Sequence, residues 1–266
     1  MCGLIALYAT IPSLAQIQNQ QETIFSKYKD KVDPSIEKGL SYLSLVQNKN
    51  GSFPGGFGDS TGIPALVGMA FLSKGHLPTD AAYGENINRC IDFILSNQKD
   101  NGVFEAGNAG SGPMYAHCIA TLFLSEVSGM VDPTRQKKID GALAKALKLI
   151  LQAQKVKKSE RNQGGWRYHP GSNDSDTSCS GWALMALRSA KLNGAAVPDK
   201  AIEDALAYLY RHHDKKTGTF GYSDKKSHSI TLTGMGLLCL ELCGEHGEPS
   251  TLKSGEYILK TYNKLS

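Results

Sequence analysis

CIDFILSNQKDNGVF, residues Cys90 to Phe104, followed after a loop by MYAHCIATLFLSE, Met114 to Glu126, is one copy of a unit that recurs about four times. The unit reads as a helix, a Gly-aromatic turn and a second helix. Upstream, GLSYLSLVQNKNGSF (Gly39 to Phe53) precedes STGIPALVGMAFLS (Ser60 to Ser73). Downstream, ALKLILQAQ (Ala146 to Gln154), a basic insert and GGWRY (Gly164 to Tyr168) precede DTSCSGWALMALRSA (Asp176 to Ala190). The fourth copy is ALAYLYRHHDKKTGTFGY (Ala205 to Tyr222) and then HSITLTGMGLLCLEL (His228 to Leu242). Gln47, Gln98, Gln154 and His212 mark a period of roughly 50 to 60 residues, the signature of stacked supersecondary units. No unit of this size buries its own apolar face, so neighbours pack side by side.

The two helices of a unit differ. The first is amphipathic: Leu40, Leu43, Leu45 and Val46 alternate with Lys38, Ser41 and Ser44. The second is apolar all round and rich in small residues, as in Ala65 to Leu72 (ALVGMAFL), which places it inside. Alternation of the two predicts two concentric layers, outer helices around inner ones. Gly51-Phe53, Gly102-Phe104, Gly165-Trp166 and Gly218-Phe220 are the predicted bends, with Gly at positive φ and the aromatic filling the gap between units. Gln16 to Lys31 reads as a polar lead-in helix, and Asp33-Pro34-Ser35 as the start of the first outer helix. The segment after Glu248-Pro249 reads as a fifth outer helix without an inner partner. The expected class is all-α, one repeat domain over residues 16–266.

Apolar content of 41% and charge of 20% describe a folded globular chain rather than a disordered one. The formal charge of +4 is small and much of it sits in KVKKSER, Lys155 to Arg161, a loop without the aromatic interleaving of a nucleic-acid surface. No run reaches the length needed to span a bilayer. Residues 1–15 admit two readings: a signal segment ending in Ser13-Leu14-Ala15, which would mean export, or a capping helix, which would leave the chain in the cytoplasm. Six cysteines stand singly, four of them inside apolar helices, where buried free thiols are common.

From Gly39 to Leu259 the pattern of small residue, aromatic, aliphatics, Gln and Gly-x-aromatic resembles the repeat of squalene and oxidosqualene cyclases and of protein prenyltransferase β subunits. More narrowly, GGWRYHPGSNDSDTSCSGWALMALRSA (Gly164 to Ala190) is similar to short bacterial prenyltransferase/squalene-oxidase-repeat proteins. The resemblance implies an α/α toroid of about four and a half hairpins, open or incomplete, with an apolar central cavity. It implies an isoprenoid or other long apolar ligand.

The inner helices are expected to begin near Asp59-Ser60-Thr61, Met114 to His117, Asp174 to Thr177, and Ser227 to Ser229, so their polar residues would meet around one opening. Capping alone explains Thr61 and is one reading of Asp176. By resemblance to the cyclases, Asp176 would be an acid with Asp174 as its charged neighbour, and His228 would assist. Tyr115, His117, Trp166 and Trp182 would contact the ligand. By resemblance to the prenyltransferases, Asp176, His228 and Cys179, with His117, would be zinc ligands. Cys179 stands three residues after Asp176 rather than two, which turns it about 100° around a helix. No cofactor is otherwise expected. Glu105, Asp59, Asp174, Asp176 and Asp224 on the same rim are candidates for a glycosidase pair.

Cys243-Gly244-Glu245-His246 resembles the thioester motif of complement-like toroids, but His246 has no acyl group to bond to sulfur, and Gly244 fits a helix C-terminus. Gly55-Gly56-Phe57-Gly58 lacks the Lys and strand of a phosphate loop. Two functions stand side by side: an enzyme acting on isoprenoids, or a non-catalytic binding or scaffold protein with a protein partner on its surface.

Overall fold

The computed structural model describes residues 14–262 apart from 58, 108, 109 and 111, with side chains from residue 28 onward. The signal-segment reading of 1–15 therefore lies almost wholly outside the described residues. Among these, the chain is all-α: nine α-helices and one two-stranded hairpin of two residues per strand. The chain divides into two compact units, residues 1–45 and 46–266.

The described part of the first unit belongs to one helix, α1 (Leu14–Val46). The lead-in and the first outer helix are continuous, with Pro34 inside rather than at a start. Proline's fixed φ is helical, so the chain continues at the expense of one backbone hydrogen bond.

In the second unit the expected alternation is present. Inner helices α2 (Gly62–Ser73), α4 (Met114–Val127), α6 (Thr177–Leu192) and α8 (Ile230–Leu242) pack on one another in chain order. Each is backed by its successor, α3 (Gly84–Ser96), α5 (Pro133–Gln154), α7 (Asp199–His212) and α9 (Pro249–Tyr262). α3 has its buried Ile87, Cys90, Ile91 and Ile94 on one stripe, and each buried isoleucine contributes about 1.5–3 kcal/mol. α4 and α6, flanked on both sides, are buried nearly all round. Close approach depends on small residues: a Cβ on Gly236 would meet the Phe220 ring at 2.4 Å.

The turns carry the repeat. Phe53, Phe104, Trp166 and Phe220 are all buried. Gln98 Nε2 donates to Gly102 O (3.0 Å) in its own turn and to Ala142 O (2.9 Å) in the next outer helix. Gln154 does the same with Gly164 O and Ala201 O, and Gln47 with Gly51 O and Asn86 O. In the fourth copy the equivalent residue is His213, not His212: His213 pairs with Phe220 as Gln98 pairs with Phe104. One extra residue in this turn shifts the position. Ser254 takes over the bond to the Gly218 carbonyl, at 2.8 Å.

In the third turn the positive φ, +83°, falls on Gly164 rather than Gly165, because Gly164 lies over the Asp204 carbonyl, 2.1 Å from where a Cβ would stand. L-residues are strained at such a φ.

Candidate functional site

Two places could do chemistry, at opposite ends of the inner helices. The first lies at their N-terminal ends and contains Asp174 and Asp176. The turn residue Trp166 pairs with Asp176, whose N–H donates to the Trp166 carbonyl at 2.9 Å. Asp176 then caps α6, its Oδ1 accepting from Cys179 N–H (2.8 Å) and from the Ser178 hydroxyl (2.6 Å). Its Oδ2 faces Arg167 Nη1 at 3.2 Å. Asp174 reaches Arg167 Nε at 3.3 Å and is 52% exposed, while Asp176 is fully buried.

Three tyrosines surround this group. The Arg167 guanidinium lies 4.3 Å from the centre of the Tyr168 ring and 5.2 Å from that of Tyr222, a cation–π arrangement. The hydroxyls of Tyr168 and Tyr222 meet, as do those of Tyr115 and Ser178. Backbone bonds repeat the linkage: Met114 N–H donates to Tyr168 O (3.1 Å) and Thr177 N–H to Tyr222 O (2.9 Å). The group is thus a clasp joining the starts of α4 and α6 to the two following turns.

The electrostatics follow from burial and pairing. Burial opposes the charge on Arg167, but Asp176, then Tyr222, Tyr168 and Asp174, more than restore it and raise its pKa. Burial pushes the Tyr115 and Tyr222 phenols up, so they serve as donors rather than bases. Burial, then Asp176, also pushes the Cys179 thiol up. Both Asp176 oxygens are thus occupied within the clasp, by two neutral donors and one cation.

His117, expected at the ligand, is fully buried, with Nδ1 accepting from Phe104 N–H (3.1 Å). The ring proton is therefore on Nε2, toward Ala146 O at 3.3 Å. Burial lowers its pKa to about 4. Ser180 and Thr233 do the same for Trp166 and Phe220, accepting from their N–H groups at 2.9 and 3.2 Å. His117 is thus a repeat position, not a rim residue.

Trp166, expected at the ligand, is buried and donates its indole N–H to Ile150 O at 2.8 Å. His228 is exposed; its ring faces Tyr257 of α9 at 6.3 Å and lines a groove with Lys253 and Glu256. Asp176, Cys179, His117 and His228 therefore do not converge. Among the described residues no three His, Cys, Asp or Glu side chains group as metal ligands, and the zinc set does not fit. Of the five rim carboxylates, Asp174 and Asp176 are brought together, by Arg167. Asp224 is held by its own turn, accepting from Lys226 and Ser227 N–H. Thr61 donates to Phe104 O (3.2 Å) rather than capping α2. Gly244 ends α8 at φ +91° and His246 pairs with Glu241.

The second place lies at the C-terminal ends. A cavity of about 380 Å³ is lined by Met69, Leu72, Ser73, Leu122, Glu126, Met130, Met185, Arg188, Ser189 and Leu242, drawn from all four inner helices. Arg188 lies twelve residues beyond Asp176, about 18 Å along α6 at 1.5 Å per residue. The half-buried Trp182 stands one turn before Met185, between the two places. This cavity and the polar helix starts are thus at opposite ends of the inner helices.

Sequence reasoning missed Arg167, Tyr168 and Tyr222. Tyr168 and Tyr222 each stand two residues after a turn aromatic, a regularity that would have found them. Arg188 was also legible, as the one cation within ALMALRSA.

No protein-family model and no curated protein matches this chain. Among solved structures it is similar to a family 10 polysaccharide lyase from Cellvibrio cellulosa, with 12% identity and a TM-score of 0.43, covering 69% of this chain and 72% of that one. A likeness of this order carries no argument about activity.

Among the described residues no helix is long and apolar enough to cross a membrane.

Proposed function

We propose that the chain is an α/α-toroid domain related to squalene-cyclase and prenyltransferase repeats, and that it binds an isoprenoid or another elongated apolar molecule. The supporting observation is the cavity at the C-terminal ends, to which α2, α4, α6 and α8 all contribute. A flat row would keep α2 and α8 apart, so a shared cavity favours a row that curves. Its volume and largely apolar lining with a few polar groups suit a small-molecule site.

Binding without turnover is the reading favoured here, because the conspicuous acidic pair, Asp174 and Asp176, is committed to Arg167. Incubation with a panel of isoprenoids and long-chain hydrocarbons, followed by mass spectrometry of the recovered ligand, tests both parts. The expected outcome is a retained ligand of unchanged mass. Retention should be lost on filling the cavity with Met69→Trp. Products of altered mass would replace the binding reading with an enzymatic one.

A further inference from the structure

Arg188 is half-buried in the wall of the cavity, on a helix that is otherwise apolar or small along this stretch. Among the described residues it makes no ion pair and no hydrogen bond. The other half-buried arginines are all partnered: Arg89 with Glu85, Arg135 with Asp92 and Asp132, Arg167 with Asp174 and Asp176, and Arg211 with the Gln163 carbonyl. The cavity therefore presents a guanidinium with uncommitted donors beside apolar surface, a combination that suits an anionic head group on an apolar chain.

We infer that the cavity takes a medium-chain monocarboxylate, the acyl chain against Met69, Leu122 and Met185 and the carboxylate on the Arg188 guanidinium. This rests on the apolar-ligand reading above and names the head group. A planar guanidinium matches a carboxylate through two parallel N–H···O bonds. The head group carries a single charge, because among the described residues Arg188 is the only cation lining the cavity and Glu126 lines it too without pairing to Arg188. A diphosphate would meet one positive charge and a nearby negative one. Three methionines, Met69, Met130 and Met185, give walls that adapt to a flexible chain.

Calorimetric titration of octanoate, decanoate, decanol and farnesyl diphosphate into the full chain tests this, with the wild type, Arg188→Met and Arg188→Gln. Decanoate is expected to bind more tightly than decanol. It should also bind more tightly than octanoate, by about four-fold per methylene. Either substitution should weaken decanoate by roughly ten-fold or more while leaving decanol unchanged. Unaltered melting of both variants would separate this from unfolding, and Arg188→Gln serves if Arg188→Met does not fold.

Equal affinity for decanoate and decanol, or decanoate binding indifferent to Arg188, overturns the head-group inference and leaves the apolar cavity standing. Tighter binding of the diphosphate than of decanoate overturns the single-charge argument. Failure of all four to bind removes both readings.

Discussion

The two ends of the inner helices use charged residues in opposite ways. At the N-terminal ends Arg167, Asp174, Asp176 and three tyrosines are directed at one another, and the result joins neighbouring repeats. At the C-terminal ends Arg188 lines a largely apolar cavity beside Glu126, Ser73 and Ser189, and among the described residues it makes no ion pair or hydrogen bond. The conspicuous cluster of ionisable groups is paired within itself, whereas Arg188, in a largely apolar lining, has no such partner among the described residues. Removing one partner of a paired, buried charge strands the other, whereas removing an unpaired, water-accessible charge strands nothing.

The largest expected effect comes from breaking the clasp. Arg167→Met leaves Asp176 buried without its cation and should destabilise the chain by about 3 kcal/mol or more in denaturant unfolding. Adding Asp176→Asn should recover part of that loss, since it removes the stranded charge. If Arg167→Met melts like the wild type, the clasp is not structural.

Next in size is the pH response of His117. Its folded pKa of about 4 lies below the ordinary value of 6.5, so the unfolded chain binds the proton more readily. The contribution is complete above pH 6.5 and is lost as pH falls toward 4, about 3 kcal/mol at ~1.4 kcal/mol per unit. His212 and His213, also lowered chiefly by burial, add loss in the same direction. His117→Thr, the residue type at the equivalent position 233, should flatten part of this slope in urea titrations from pH 4 to 7. An unchanged slope would remove His117 from the acid response.

Smaller still is Asp174→Asn. This carboxylate is half exposed, so its loss should cost about 1 kcal/mol or less and leave the clasp standing. Arg188→Met should be the mildest for stability, within about 0.5 kcal/mol, because no partner is lost. A large destabilisation there would mean that Arg188 is a structural residue, and the contrast between the ends would vanish.

Much of the fold was legible because a repeat states its periodicity several times over. The inner helices start within a few residues of where Asp59-Ser60-Thr61, Met114, Asp174 to Thr177 and Ser227 to Ser229 placed them. Misreadings fell where one copy departs from the others: the extra residue before Gly218 that puts His213 in register, and the continuous helix through Pro34. The site was less legible. His117, Trp166 and His228 are residue types that often serve in catalysis, yet two of them are buried in the repeat's own hydrogen bonding and the third faces α9.

By itself the sequence determined the helical alternation, the glycine-aromatic turns and which helices lie inside, since these follow from local spacing and from the hydrophobicity of each segment. Tertiary structure alone decided which polar side chains meet. Asp176 meets Arg167, and Arg188 meets no partner among the described residues, because partnership depends on where packed helices aim their side chains across repeats, and no periodicity along one chain encodes that direction.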